Sequence, residues 1–118
     1  MAWLISAEIK TKMTKALSLK NFKKEVIERR TLSLVQFKAE WNGTCQIIAP
    51  VFESLSAAYK KKVSFFTVDV EENKLLEAEH GVTDIPTILF FKNGKMIDHL
   101  IGLAPRNVII EKIENALA

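Results

Sequence analysis

Hydrophobic and polar positions along the chain switch between two periods, and each switch marks an element. Residues 31 to 37, "TLSLVQF", are mostly apolar and too short for a helix, which predicts a central strand covered on both faces. Before it, "SLKNFKKEVIERR" puts Phe22, Val26 and Ile27 on one helical face, with Asn21 as the expected N-cap, and Lys12 to Leu17 reads as a weak first strand. After it, Cys45, Ile48, Ala49, Phe52, Leu55 and Tyr59 fall on one stripe of a long helix that Pro50 is expected to kink. Val63 to Val70 is the next strand, and Lys74 to His80 a short helix stopped by Gly81. In "PTILFFKNGKMIDHLIG", Asn93 and Gly94 supply the two positive-φ positions of a tight type I′ hairpin turn. A last helix spans Arg106 to Leu117, with Ile109, Ile113 and Leu117 inward and Pro105 near its first turn.

The order is therefore βαβαβα followed by ββα. Strands joined by helical crossovers run parallel, and the hairpin adds an antiparallel edge, so an α/β fold with a mixed five-stranded sheet and helices on both faces follows. A chain of 118 residues is long enough for one domain with a real core. We divide it into an N-terminal extension, 1–12, and a domain, 13–118. The apolar run Ala2 to Ala7 is short and lacks basic residues before it, so a secretory signal is not expected, and no run has the length of a membrane span. Either Trp3 and Leu4 dock on the body, or Met13 is the true start.

Composition changes this picture little. With 48% hydrophobic and 26% charged residues the chain belongs with folded globular proteins and not with disordered ones. A single cysteine forms no internal disulfide and demands no oxidising compartment. The net charge of +3 comes with clusters at Lys23-Lys24, Arg29-Arg30 and Lys60-Lys61-Lys62. The later two fall near expected helix C-termini, where the dipole favours cations, and no aromatic residues interleave with them. They read as solvated helix ends and not as a nucleic-acid footprint. His80 reads as a solvated residue at a helix end, a cation when protonated, and His99 as a strand residue, neither spaced from a cysteine or carboxylate for a metal site.

The candidate chemistry lies in "FKAEWNGTCQIIAP", Phe37 to Pro50. Together with "VDVEEN" at 68 to 73, "GV-DIPT" at 81 to 87, "FFKNGK" at 90 to 95 and Gly102, it resembles the thioredoxin family over about Met13 to Leu117. The resemblance implies the thioredoxin fold, a five-stranded mixed sheet flanked by four helices, with Pro86 as a cis-proline beside the active site. It also implies a cysteine pair around Gly-Pro, and here the chain departs. Asn42 stands at the first cysteine and Thr44 at the proline. The buried carboxylate of the family falls at Gln36, a flanking tryptophan at Lys38, and a lysine facing that carboxylate at Thr67.

These departures agree with one another. Disulfide reduction needs a thiolate to attack and a second thiol to resolve the mixed disulfide, and Asn42 offers no sulfur. With no resolving proton transfer to perform, a buried base at Gln36 is not needed, and a neutral amide avoids the desolvation cost of a carboxylate. Asn42 reads as an N-cap whose side-chain oxygen accepts from the N–H of Thr44 or Cys45. Cys45 has two readings: a packed, inert thiol on an apolar stripe, or a reactive monothiol in the first turn of a helix, where the dipole favours a thiolate.

By resemblance, Trp41, Gly43, Thr44, Ile85, Pro86 and Gly102 would line a groove for an extended peptide, with Ile85 offering strand-like backbone bonds and Asp84 and Lys38 on the rim. The plainer reading is that Trp41 and Pro86 merely pack the end of the sheet. Two functions follow. The first is a thioredoxin-like binding module without dithiol oxidoreductase activity, in a redox-homeostasis or protein-quality setting. The alternative is an atypical monothiol thioredoxin or redox sensor using Cys45 to form mixed disulfides. A divergent member whose activity has decayed is a third. The expected partners are protein or extended peptide segments, with glutathione or a partner thiol for the monothiol. Nucleic acid, membrane and cofactor are not expected, and the protein is expected to be monomeric and cytoplasmic.

Overall fold

The computed structural model describes residues 13–118; Trp3, Leu4 and the rest of the proposed extension lie outside the described residues. The first strand is shorter than its pattern suggests, β1 (Lys15–Ala16), and the first helix, α1, begins as an α-helix over Leu19–Phe22 and widens into a π-helix over Lys23–Ile27. Then come β2 (Leu32–Lys38), α2 (Gly43–Ala58), β3 (Val63–Asp69), α3 (Lys74–Glu79), β4 (Thr87–Lys92), β5 (Lys95–Ile101) and α4 (Arg106–Leu117). The five strands form one sheet in the order β1-β3-β2-β4-β5. β1, β2 and β3 run parallel, β4 is antiparallel to β2, and β5 is antiparallel to β4.

Alternation along the strands divides the core in two. On one face Val35 and Phe37 of β2, Phe66 and Val68 of β3, and Leu89 and Phe91 of β4 meet Phe22 and Val26 of α1 and Leu76 of α3. On the other, Leu32, Leu34, Val63, Phe65, Ile88 and Phe90 meet Ile48, Phe52 and Leu55 of α2 and Ile109 and Ile113 of α4. β2 is buried at its first six positions because helices cover both of its faces. α2 continues through Pro50, and its expected stripe is buried at Cys45, Ile48, Phe52 and Leu55, with Ala49 and Tyr59 half-buried at the margin. The hairpin turn is as the sequence predicts: Asn93 and Gly94 have φ of 55° and 76°. Gly94 is needed for a second reason, since a Cβ there would lie 2.2 Å from the Ile27 carbonyl oxygen.

Four local expectations are corrected. The N-cap of α1 is Ser18; Asn21 sits inside the first turn and its Oδ1 reaches back to accept from the Ser18 N–H at 2.8 Å. Ile27 is an exposed residue, because the π-turn rotates it off the face shared by Phe22 and Val26. Lys60 to Lys62 lie beyond the Tyr59 C-cap of α2 and not in its last turn. His80 does not extend into solvent at the helix end. It is half-buried, its ring centroid 4.8 Å from that of Phe22, 6.0 Å from Phe37 and 5.9 Å from Phe91, with Nδ1 2.9 Å from the Leu76 carbonyl oxygen.

Candidate functional site

The chain leaves β2 at Lys38, passes buried Ala39 and exposed Glu40 and Trp41, and enters α2 at Gly43. Asn42 has extended backbone angles, φ −83° and ψ 121°, and its Oδ1 accepts from the Cys45 N–H at 2.8 Å. It is the N-cap of α2, satisfying one of the amide donors that a helix start leaves open. Gly43 is exposed and Thr44 half-buried in the first turn.

Cys45 points inward, with 3% of its surface exposed. Burial pushes its thiol above the ordinary value for a cysteine, outweighing the opposing pull of the Ala39 backbone and the Lys38 cation. One small cavity of about 60 Å³ reaches it, lined by Lys38, Ala39, Glu40, Cys45, Gln46 and Ala49. Glu40 and Lys38, both lining that cavity, form an ion pair, and Gln46 Nε2 donates to the Glu40 carbonyl.

The altered interior positions share the sheet face that α2 covers. Gln36 and Lys38 continue the row of Leu32 and Leu34 on β2, and Thr67 lies opposite Gln36 in the β2–β3 register. Gln36 is fully buried, and its Nε2 has no hydrogen-bond partner among the described residues. A buried amide left open in this way costs about 1–3 kcal/mol. A neutral amide at this position carries no buried charge, yet its Nε2 is left without a partner among the described residues. Thr67 is half-buried and lines a polar cleft with Lys38, Glu40 and Asp69.

The outward residues are held differently. Trp41 is 67% exposed, and its indole N–H donates to Glu71 Oε1 at 2.8 Å. That bond, with Lys74 next, holds the Glu71 carboxyl below its ordinary range. Ile85 and Pro86 are joined by a cis peptide bond; Ile85 is half-buried against the α1-side core and Pro86 is buried. Gly102, at φ 82°, donates its N–H to the Pro86 carbonyl at 2.7 Å, so the structure brings these two predicted positions into direct contact. Asp84 is exposed, and its carbonyl accepts from the Thr87 hydroxyl. Sequence reasoning missed Ile101 and Leu103, apolar residues more than half exposed on either side of Gly102. The signal was present: two bulky aliphatic residues flanking a glycine in a strand-to-helix loop. Among the described residues no group of three or more His, Cys, Asp or Glu could hold a metal ion, and no helix is long and apolar enough to cross a membrane.

Known proteins agree with this geometry. A family model described as thioredoxin matches residues 13–115. The thioredoxin of Rickettsia felis is 38% identical over 97 residues, which cover 82% of this chain and 92% of that protein. The thioredoxin of Chlorobaculum thiosulfatiphilum is 37% identical over 95 residues, covering 80% and 88%. The crystal structure of Malassezia sympodialis thioredoxin superposes with a TM-score of 0.81 at 34% identity, over 89% of this chain and 91% of that one. With the βαβαβα-ββα order, the cis-proline and the helix start at Asn42 all in place, the chain belongs to the thioredoxin family.

Proposed function

We propose that this protein works as a thioredoxin-like binding module without dithiol–disulfide oxidoreductase activity. The observation that carries the reading is the start of α2, where Asn42 caps the helix in place of a nucleophile and the remaining thiol, Cys45, is turned into the core. A thiol that is both buried and held protonated is a poor nucleophile. The outward surface suits an extended peptide: exposed Trp41 supplies a flat apolar face, Ile85 and Pro86 a rigid backbone edge, and Gly43, Thr44 and Gly102 leave room for a close backbone approach. Protein or peptide segments are the partners, the setting is redox homeostasis or protein quality in the cytoplasm, and the protein acts as a monomer.

One observation favours a second reading. Cys45 is among the residues that line the small cavity beside Lys38 and Glu40, so a monothiol forming mixed disulfides with glutathione or a partner cysteine is the alternative. Mixing the reduced protein with a disulfide-bonded peptide, with no other thiol present, separates the two. A complex that forms without loss of the Cys45 thiol supports the binding module. A mixed disulfide at Cys45, seen by intact mass, retires it in favour of the monothiol.

A further inference from the structure

The three-dimensional arrangement gathers cations that are scattered in sequence. β2 and β3 start side by side, with Leu32 opposite Val63, and the β4–β5 turn lies at the same end, with Ser33 opposite Phe91. The loops before Leu32 and Val63 therefore converge with the hairpin turn, and the Asn93 N–H donates to the Arg30 carbonyl at 3.3 Å. Arg30, Lys60, Lys61, Lys62 and Lys95 are exposed at this end, and none pairs with a carboxylate among the described residues. Two further cations are already engaged: Arg29 bonds Glu25 and lies over the Phe66 ring, and Lys92 donates to the Ala116 carbonyl at the end of α4. Of the nearby carboxylates, Glu28 shares the first loop and Glu114 is held by the Tyr59 hydroxyl. At the opposite end of the sheet Glu40 and Glu71 pair with Lys38 and Lys74, beside Asp69, Glu72 and Asp84, so the excess of positive charge lies at the first end.

Beside the cations are partly exposed apolar side chains: Met96 is 52% exposed, at the edge of a cavity it shares with His80 and Leu89, Ile97 47% and Ile27 37%. Exposed aromatic side chains for stacking on bases are missing from the described residues of this end, where Tyr59 is half-buried. Five free cations rimmed by aliphatic residues fit phosphate headgroups over a hydrocarbon layer better than a nucleic acid. We propose that this end is a docking surface for an anionic membrane. The lysines and Arg30 meet acidic phospholipid headgroups, and Met96 and Ile97 enter the interface. The contact is peripheral and crosses nothing. Because β2 and β3 are each seven residues long, roughly 20 Å separates this end from Asn42 and Cys45. The docked protein therefore presents Trp41 and Pro86 to the solvent.

Sedimentation of the full chain with lipid vesicles tests this. Binding is expected to vesicles containing phosphatidylglycerol and not to phosphatidylcholine alone, with release by added salt. At roughly fivefold in partitioning per lysine, joint substitution Lys60→Gln, Lys61→Gln and Lys62→Gln lowers binding by about a hundredfold. The matching Lys→Arg variant keeps it. Lys20→Gln with Lys74→Gln removes charge away from this surface and leaves binding within about twofold. Absence of vesicle binding by the parent overturns the proposal, as does equal binding by the triple Gln variant or an equal loss in the Lys20/Lys74 control. Displacement from the vesicles by duplex DNA at equal phosphate also overturns it and reassigns the surface to nucleic acid.

Discussion

Two regions meet at the start of α2 and differ in what holds them. Outside, Gly102 bonds directly to the Pro86 carbonyl, and Trp41 stands exposed with its indole tethered to Glu71. Inside, Gln36 and Cys45 are buried, the thiol turned into the core and the amide nitrogen without a partner among the described residues. Under the proposed function the outer surface binds a partner while the interior supplies no nucleophile, so the two regions answer to different tests.

Placing a sulfur at residue 42 is the most severe test of that contrast. Asn42→Cys places a thiol three residues before Cys45 at the helix start, where a lowered pKa and a resolving partner are both available. Protein disulfide reduction by the variant is expected to rise on the order of a hundredfold or more over the parent. Reduction by the parent at a rate matching the variant would mean that Cys45 alone carries activity.

The second test asks whether the interior is closed. Cys45 in the native protein should react with a disulfide reagent at least about a hundredfold more slowly than after unfolding, since a buried thiol reacts mainly through opening. Its pKa is raised, so the native rate climbs only above the pH at which a free cysteine ionises. The linked effect on stability has a definite sign. The folded state holds this proton more tightly, so the contribution of the thiol is complete below about pH 8.5 and is lost as pH rises through the higher folded value. Fast native reaction at neutral pH would break the contrast outright.

On the outer side, Trp41→Ala removes a large exposed face tethered to Glu71. Peptide affinity is expected to fall by about 2 kcal/mol, as for a central aromatic contact, while folding stability stays within about 0.5 kcal/mol. A calorimetric titration beside a urea melt reads both. A large loss of stability with affinity unchanged returns Trp41 to the plainer role of packing the sheet end.

What could be read from the sequence follows the range of the forces involved. The Asn93-Gly94 turn, the α2 stripe and the Asn42 cap are settled within a few residues, and the chain shows them openly. His80 could not be placed, because Phe22, Phe37 and Phe91, which surround it, come from three other elements. The N-cap of α1 was ambiguous for a different reason. Ser18 and Asn21 are both good capping residues, and the reciprocal bond between them decides which one caps. The meeting of Arg30, Lys60 to Lys62 and Lys95 depends on strand order, and the open Nε2 of Gln36 on atomic packing. Neither has a local signature.

That open amide makes Gln36→Met the next probe of the interior. Methionine fills nearly the same volume without an unpaired donor, so the variant should gain up to about 2 kcal/mol in a urea melt. A loss of that size would instead show that Gln36 finds a partner in solution.

The smallest expected effect bears on the boundary between the two regions. Asn42→Ala removes the acceptor for the Cys45 N–H and should cost about 1 kcal/mol, read as a lower urea midpoint at unchanged slope. Asn42→Asp keeps an acceptor at the same place and adds a charge favoured by the helix dipole, so it should restore or exceed the parent stability above about pH 4. Peptide binding distinguishes capping from any further role. If Asn42 only starts the helix, the Asp variant binds peptide as the parent does. A variant that is fully stable yet weakened in binding would place the asparagine side chain in contact with the partner, and the border between outer and inner regions would then run through residue 42 itself.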